Sequence, residues 1–137
     1  RIGKIVEKIN LLEEGGFYGW PNVTKDNPIP EGSIPPIGNY TPHSSVNGID
    51  LRPVNSSLPG GETTLYATVF GSWNKLVPAG KEIIRIDIVE DSSHPQGWGT
   101  EVTVVIEDLQ SPLPLEFHPN GDLYFAEYTE GILYRLS

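Results

Sequence analysis

Apolar and polar residues alternate with a period of two through much of the second half of the chain. In Glu82–Val89, Ile84, Ile86 and Ile88 fall on one face while Arg85 and Asp87 fall on the other, the pattern of a strand with one buried side. The same reading predicts strands over Thr64–Phe70, Glu101–Glu107, Leu113–His118, Asp122–Tyr128 and Ile132–Leu136. Helical periodicity is weak. Only Lys4–Glu14 admits it, and Ile5, Val6, Ile9, Leu11 and Leu12 would serve a strand equally well. The 15 glycines and 13 prolines punctuate these short runs, as turn formers do between strands. The fold class this predicts is all-β.

The connections add topology. Pro119-Asn120-Gly121-Asp122 predicts a tight hairpin with positive φ at Asn-Gly, and Thr129-Glu130-Gly131 a second turn soon after. Three antiparallel strands in succession make a meander, and the meander has an earlier copy. Ile49-Asp50-Leu51-Arg52-Pro53 echoes Leu115-Glu116-Phe117-His118-Pro119, 66 residues on. Leu65-Tyr66-Ala67 echoes Leu123-Tyr124-Phe125 at an offset of 58, and Ile83-Ile84-Arg85-Ile86 echoes Leu133-Tyr134-Arg135-Leu136 at 50. The shrinking offsets place extra residues in the turns of the earlier copy.

A repeated meander with turn insertions is the sequence form of β-propeller blades, which span about 40–50 residues each. The chain of 137 residues therefore holds about three blades of a single propeller domain, residues 1–137. Rings of this kind close with about four to eight. A start at Arg1 without an initiator Met, and no apolar stretch of signal-peptide or membrane-span length, fit a piece of a longer protein. The segment 21–41 is proline-rich and aperiodic, and a loop of that length in a compact domain usually covers or binds something.

Composition narrows the partners. The net charge is −9 and the nine Lys and Arg residues are scattered, so no basic stripe exists to neutralise nucleic-acid phosphates or an anionic membrane. The absence of cysteine excludes disulfides, zinc fingers and thiol catalysis. Three Asn-x-Ser/Thr sequons, at Asn22, Asn39 and Asn55, point to a glycosylated, secreted protein.

Candidate chemistry is sparse. The acidic pairs Glu13-Glu14, Glu90-Asp91 and Glu107-Asp108 lack a spacing for paired acid and base work, and no phosphate loop, HExxH, GxSxG or EF-hand pattern occurs. His118 precedes a Pro-Asn-Gly turn, where a ring packs on the hairpin by default. His94 lies in a Ser/Pro/Gly loop and is expected to be exposed. His43 follows the long loop and precedes Ser44-Ser45 and Asn47-Gly48, a setting suited to abstracting a hydroxyl proton or bonding a cofactor oxygen. It is the catalytic candidate. In Gly71-Ser72-Trp73-Asn74-Lys75, Trp73 is suited to stack on a flat cofactor or sugar, with Asn74 and Lys75 as donors. A Trp packed between blades is the plain alternative. Tyr18-Gly19-Trp20-Pro21 reads as aromatics wedging a strand exit against its neighbour.

In order along the chain, these pieces resemble one family. Ile9-Asn10-Leu11-Leu12 with Gly15 to Pro21 resembles the E-I-N-L-I … G-x-N-Y-G-W-P stretch of the soluble quinoprotein glucose/sorbosone dehydrogenases. Pro42–Ile49 is similar to its H-S-A-P-x-G-L segment, Phe70–Lys75 with Ala79–Ile86 to H-G-S-W-N-R … G-Y-K-V-V-R-V, and Pro112–Arg135 to its closing blade. The sequons suggest the fungal pyranose dehydrogenase branch. The resemblance implies a six-bladed propeller, of which these are the C-terminal blades, binding pyrroloquinoline quinone and calcium at its top. It also implies oxidation of an aldose, sorbosone or pyranose by hydride transfer to the quinone, with electrons passed to an external acceptor. The resemblance implies a histidine base as well, in blades expected to lie upstream of Arg1, while within this chain His43, Trp73, Asn74 and Lys75 are the candidates to line the cofactor end. No metal ligand is assigned within the chain.

The chain departs from the family at Gly3-Lys4 and Glu7-Lys8, near the expected calcium site, and at Ser111, where relatives often carry an arginine. A propeller that keeps the fold without the cofactor, as a binding module, is the alternative. On either reading unpaired blade edges seek partners. The isolated chain is expected to dimerise or aggregate, and a monodisperse monomer in light scattering counts against three open blades.

Overall fold

A computed structural model describes residues 6–24, 26–72 and 76–137. Among them there is no helix. Nine strands form: β1 Glu7–Ile9, β2 Gly38–Tyr40, β3 Val46–Leu51, β4 Thr64–Val69, β5 Glu82–Glu90, β6 Trp98–Ile106, β7 Pro112–Phe117, β8 Leu123–Glu127 and β9 Ile132–Leu136. The ambiguous Lys4–Glu14 stretch contributes the strand β1. The segment 21–41 is not loop throughout, because its last residues form β2 against β1. Strand β6 begins three residues before the expected Glu101, since Glu90 still pairs with Trp98 across the turn.

Every pairing is antiparallel, in sheets ordered β1-β2, β3-β4-β5-β6 and β7-β8-β9. The repeat read from sequence is the register itself. Asp50 stands opposite Tyr66 and Tyr66 opposite Arg85; Glu116 stands opposite Tyr124 and Tyr124 opposite Arg135. Even the irregularity recurs, between Val46 and Ile49 in β3 and between Pro112 and Leu115 in β7. The hairpin after β7 differs from expectation in one respect. Gly121 alone takes positive φ (96°), and the His118 N–H donates to the Asp122 carbonyl at 2.8 Å. Three residues therefore make the turn, with glycine at its left-handed position.

The sheets stack face on face as propeller blades do. Tyr66 and Ile83 of the middle sheet pack on Phe117, Leu123 and Phe125 of the last, with Tyr66 edge-on to Phe117 at 5.5 Å. The opposite face, Ala67, Val69, Ile84 and Ile86, packs on Ile9 and Tyr40 of the first sheet. Polar clasps fix the approach of β3 to β7. The Phe117 N–H donates to Asp50 Oδ2 at 2.7 Å, and Thr68 Oγ1 donates to the Leu113 carbonyl at 2.7 Å. Gly48 makes room, since a Cβ there would lie 2.6 Å from the Leu113 oxygen. At the far end Ser56 Oγ donates to the Gly121 carbonyl at 2.6 Å. The alternation in β5 holds as read: Ile84 and Ile86 are buried, and Arg85 pairs with Asp87 at 2.9 Å.

Replacing Asp50 with Ala leaves the Phe117 N–H without its acceptor at a buried seam. Chemical denaturation should then show a loss of about 1–3 kcal/mol, with Asp50→Asn, which keeps an acceptor oxygen, losing less.

Candidate functional site

The starts of β3, β5 and β7 and the ends of β4, β6 and β8 share one end of the stacked sheets, as their registers require. The loop into β3 crosses this end. Ser44 is fully buried, donates through Oγ to the Thr41 carbonyl at 2.7 Å and accepts the Gly71 N–H at 2.7 Å. Ser45 accepts the Phe70 N–H at 2.8 Å, and Asn47 Nδ2 donates to its carbonyl and hydroxyl oxygens, both at 2.9 Å. With its neighbours held, His43 projects into solvent at the rim. It borders a cavity of about 430 Å³ lined by Glu7, His43, Ser45, Val46, Phe70, Gly71 and Ser72.

A second cleft of about 350 Å³ lies at the same end, lined by Pro78, Gly80, Lys81, Asp108, Leu109 and Gln110. Gly71 and Gly80 meet between the two; a Cβ on Gly80 would come within 2.7 Å of Gly71 Cα. Four non-glycine residues among those described have positive φ: His43 (57°), Ser45 (57°), Lys81 (65°) and Asp108 (61°). The first two line one cavity and the others line its neighbour. Such conformations cost about 1–3 kcal/mol each and persist where the surroundings over-determine them, which is common at functional sites.

Three further acidic side chains shape this end, Glu127, Glu130 and Glu82, and none of these belonged to the acidic pairs noted in the sequence. Glu127, 3% exposed, accepts the N–H groups of Gln110 and Ser111. Ser111 Oγ in turn donates to Glu130 Oε2 at 2.8 Å and accepts the Thr129 N–H at 2.8 Å. Position 111 is thus occupied by a capping serine between two carboxylates. The sequence signal for Glu127 was its inward place in the alternation Leu123, Phe125, Glu127. Glu82 accepts a hydrogen bond from the Tyr40 hydroxyl, and burial together with that carboxylate pushes the Tyr40 phenol well above the usual tyrosine range.

The other candidates scatter. Trp73, Asn74 and Lys75 lie outside the described residues. His94 is half-buried rather than exposed: its Nδ1 accepts the Gln96 N–H at 3.1 Å, which leaves Nε2 to donate to the Pro36 carbonyl at 3.2 Å. It ties the long loop to the β5–β6 turn, and Gln96 Nε2, donating to the Leu11 carbonyl at 3.1 Å, ties the stretch after β1 to the same turn. His118 packs on Tyr124 and accepts the Asn120 N–H, as a hairpin cap. Trp20 wedges nothing; it is 83% exposed, and Tyr18 does the holding, donating to the Leu11 carbonyl at 2.9 Å. The three sequon asparagines are all exposed. Among the described residues no group of three His, Asp or Glu side chains is placed to hold a metal ion.

Solved structures resemble this arrangement. The holo form of the PQQ domain of pyranose dehydrogenase from Coprinopsis cinerea matches 76% of this chain at 20% identity with a TM-score of 0.53. The iodide and calcium structures of a Trichoderma reesei carbohydrate-active enzyme of family AA12 each match 86% at 19% identity, with a TM-score of 0.58. The chain spans 29% of the length of the first and 30% of the others. At this identity the likeness is one of fold. No family model and no curated sequence matches the chain.

Tyr40 gives this end a pH signature. Its proton is held more tightly in the folded state, so stability is complete below about pH 10, where an unfolded tyrosine keeps its proton, and declines above it. Urea midpoints followed from about pH 9 to about pH 11 should fall, and Tyr40→Phe should flatten that fall.

Proposed function

We propose that this chain forms the C-terminal blades, about three, of a six-bladed propeller that oxidises a sugar by hydride transfer to pyrroloquinoline quinone. The observation that carries the reading is the His43-rimmed cavity at the end of the stacked sheets, with strained backbone at His43 and Ser45. The fold likeness to a PQQ domain and the ordered sequence motifs support it.

The described residues suit a flat, polar ring system. The cavity of about 430 Å³ has an aromatic wall in Phe70 and hydroxyl groups from Ser45 and Ser72. Trp73, Asn74 and Lys75, next in the chain, are proposed to complete it by stacking and by donating to the ring's oxygens. The quinone, when bound, supplies a two-electron acceptor. The part of His43 is to take the hydroxyl proton of the sugar as the carbon gives up hydride; its ring makes no hydrogen bond to a described residue, which leaves a nitrogen open to accept. Calcium is a different matter. The described residues offer it no ligand cluster, and no step is assigned to it.

Secretion and glycosylation at Asn22, Asn39 and Asn55 belong to the same proposal, as do an external electron acceptor and further blades of the same protein. Among the described residues no helix is long and apolar enough to cross a membrane. The capping serine at Ser111, where relatives often carry an arginine, favours a second reading: a propeller that binds sugar or protein at this end without a redox cofactor.

The full-length protein mixed with pyrroloquinoline quinone and calcium should reduce a redox dye when given aldoses. His43→Ala should cut turnover by about 100-fold to 10,000-fold while the quinone absorbance stays with the protein. Unchanged turnover removes His43 from the reaction. Failure to retain the quinone or to reduce the dye favours the binding module.

A further inference from the structure

The four strained non-glycine residues among those described line two neighbouring cavities, and the reading above gives work to only one of the two. The other, the cleft of about 350 Å³, lies between the entry to β5 and the connection from β6 to β7. Lys81 and Asp108 stand there in left-handed backbone, and the Leu109 N–H donates to the Lys81 carbonyl at 3.0 Å, tying the two positions together. Neither side chain holds the fold. Among the described residues the Lys81 ammonium, the Asp108 carboxylate and the Gln110 amide have no hydrogen-bond or ion-pair partner. Donors and acceptors thus line a cleft whose remaining walls include Pro78 and Leu109, which are apolar. That mixture suits a sugar ring, with hydroxyls at its edge and C–H groups on its faces.

The wall between this cleft and the His43 cavity is backbone, with no side chain standing in it. Gly71 and Gly80 meet there, and a Cβ on Gly71 would lie 2.9 Å from Lys81 Cγ. Ser72 and Ala79 close the base of the loop between them: the Ser72 N–H donates to the Ala79 carbonyl at 2.9 Å, and Ser72 Oγ accepts the Ala79 N–H at 3.1 Å. That loop starts from Ser72 in one cavity and returns through Pro78 in the other. The geometry points to a second sugar subsite: a ring in the His43 cavity carries a further sugar, whose hydroxyls bond to Asp108, Lys81 and Gln110 while its face lies on Leu109 and Pro78. The preferred ligand is then the end of an oligosaccharide and not a free monosaccharide. This rests on the proposal that the His43 cavity takes a sugar, and it holds with or without a redox cofactor. It also accounts for the strain, since left-handed Lys and Asp cost stability that glycine would not.

Calorimetric titration of the full-length protein with glucose, maltose and cellobiose tests the subsite. At least one of the two disaccharides should bind about tenfold more tightly than glucose, and Lys81→Gly and Asp108→Gly should each erase most of that gain. Glycine keeps the left-handed backbone, so both variants should melt no lower than the parent protein. Equal affinities for all three sugars, or a gain that the glycine variants retain, overturn the inference and leave the sugar reading of the His43 cavity standing. Binding of none of the three overturns that reading, and the inference with it.

Discussion

The approach of β3 to β7 is the constraint on which the rest depends. Two strands from different sheets come close enough that Gly48 has no room for a side chain, and at that distance backbone polar groups leave water. They are satisfied across the seam, the Phe117 N–H by Asp50 and the Leu113 carbonyl by Thr68. Apolar burial of Tyr66, Ile83, Phe117, Leu123 and Phe125 supplies the attraction. The hydrogen bonds supply the register, since a slip along the seam would strand both groups.

Once that register is set, the cavity end follows from it. Ser44 and Ser45 are tied to Phe70 and Gly71, and Gly80 is pressed against both loops. His43 and Ser45 cannot relax out of left-handed backbone without breaking those ties. The neighbouring cleft repeats the arrangement at Lys81, whose N–H and carbonyl are bonded to Val69 and Leu109. Rigid strands thus present a few strained, polar positions at one rim, where a ligand can be met without prior ordering of the loop.

Much of this was legible in the sequence, for physical reasons that can be named. Strand alternation reports one-sided burial directly, so Ile84, Ile86 and the Arg85–Asp87 pair emerged as read. The repeat emerged because equivalent blades need equivalent residues at equivalent register. What failed was whatever depended on a distant partner. His94 looked exposed because Pro36, which its ring bonds, lies 58 residues away. Trp20 was grouped with Tyr18 as an aromatic wedge, yet only Tyr18 makes a holding contact while Trp20 stays exposed. Glu127 passed unnoticed because the amides it caps, at Gln110 and Ser111, belong to the preceding strand entry.

The site divides in the same way. That a histidine follows the long loop, and that Gly71 and Ser72 end a strong strand, is local information carried by the chain itself. That these two stretches border one cavity, with Glu7 beside them and a second cleft adjoining, depends on three separate sheets stacking in one order. By itself the sequence determined the six strands from Thr64 onward and the repeat, because each rests on the alternation of neighbouring residues. Only the tertiary structure decided which ends meet and which polar groups are capped. Those outcomes rest on contacts between residues tens of positions apart, which leave no periodic trace in the chain.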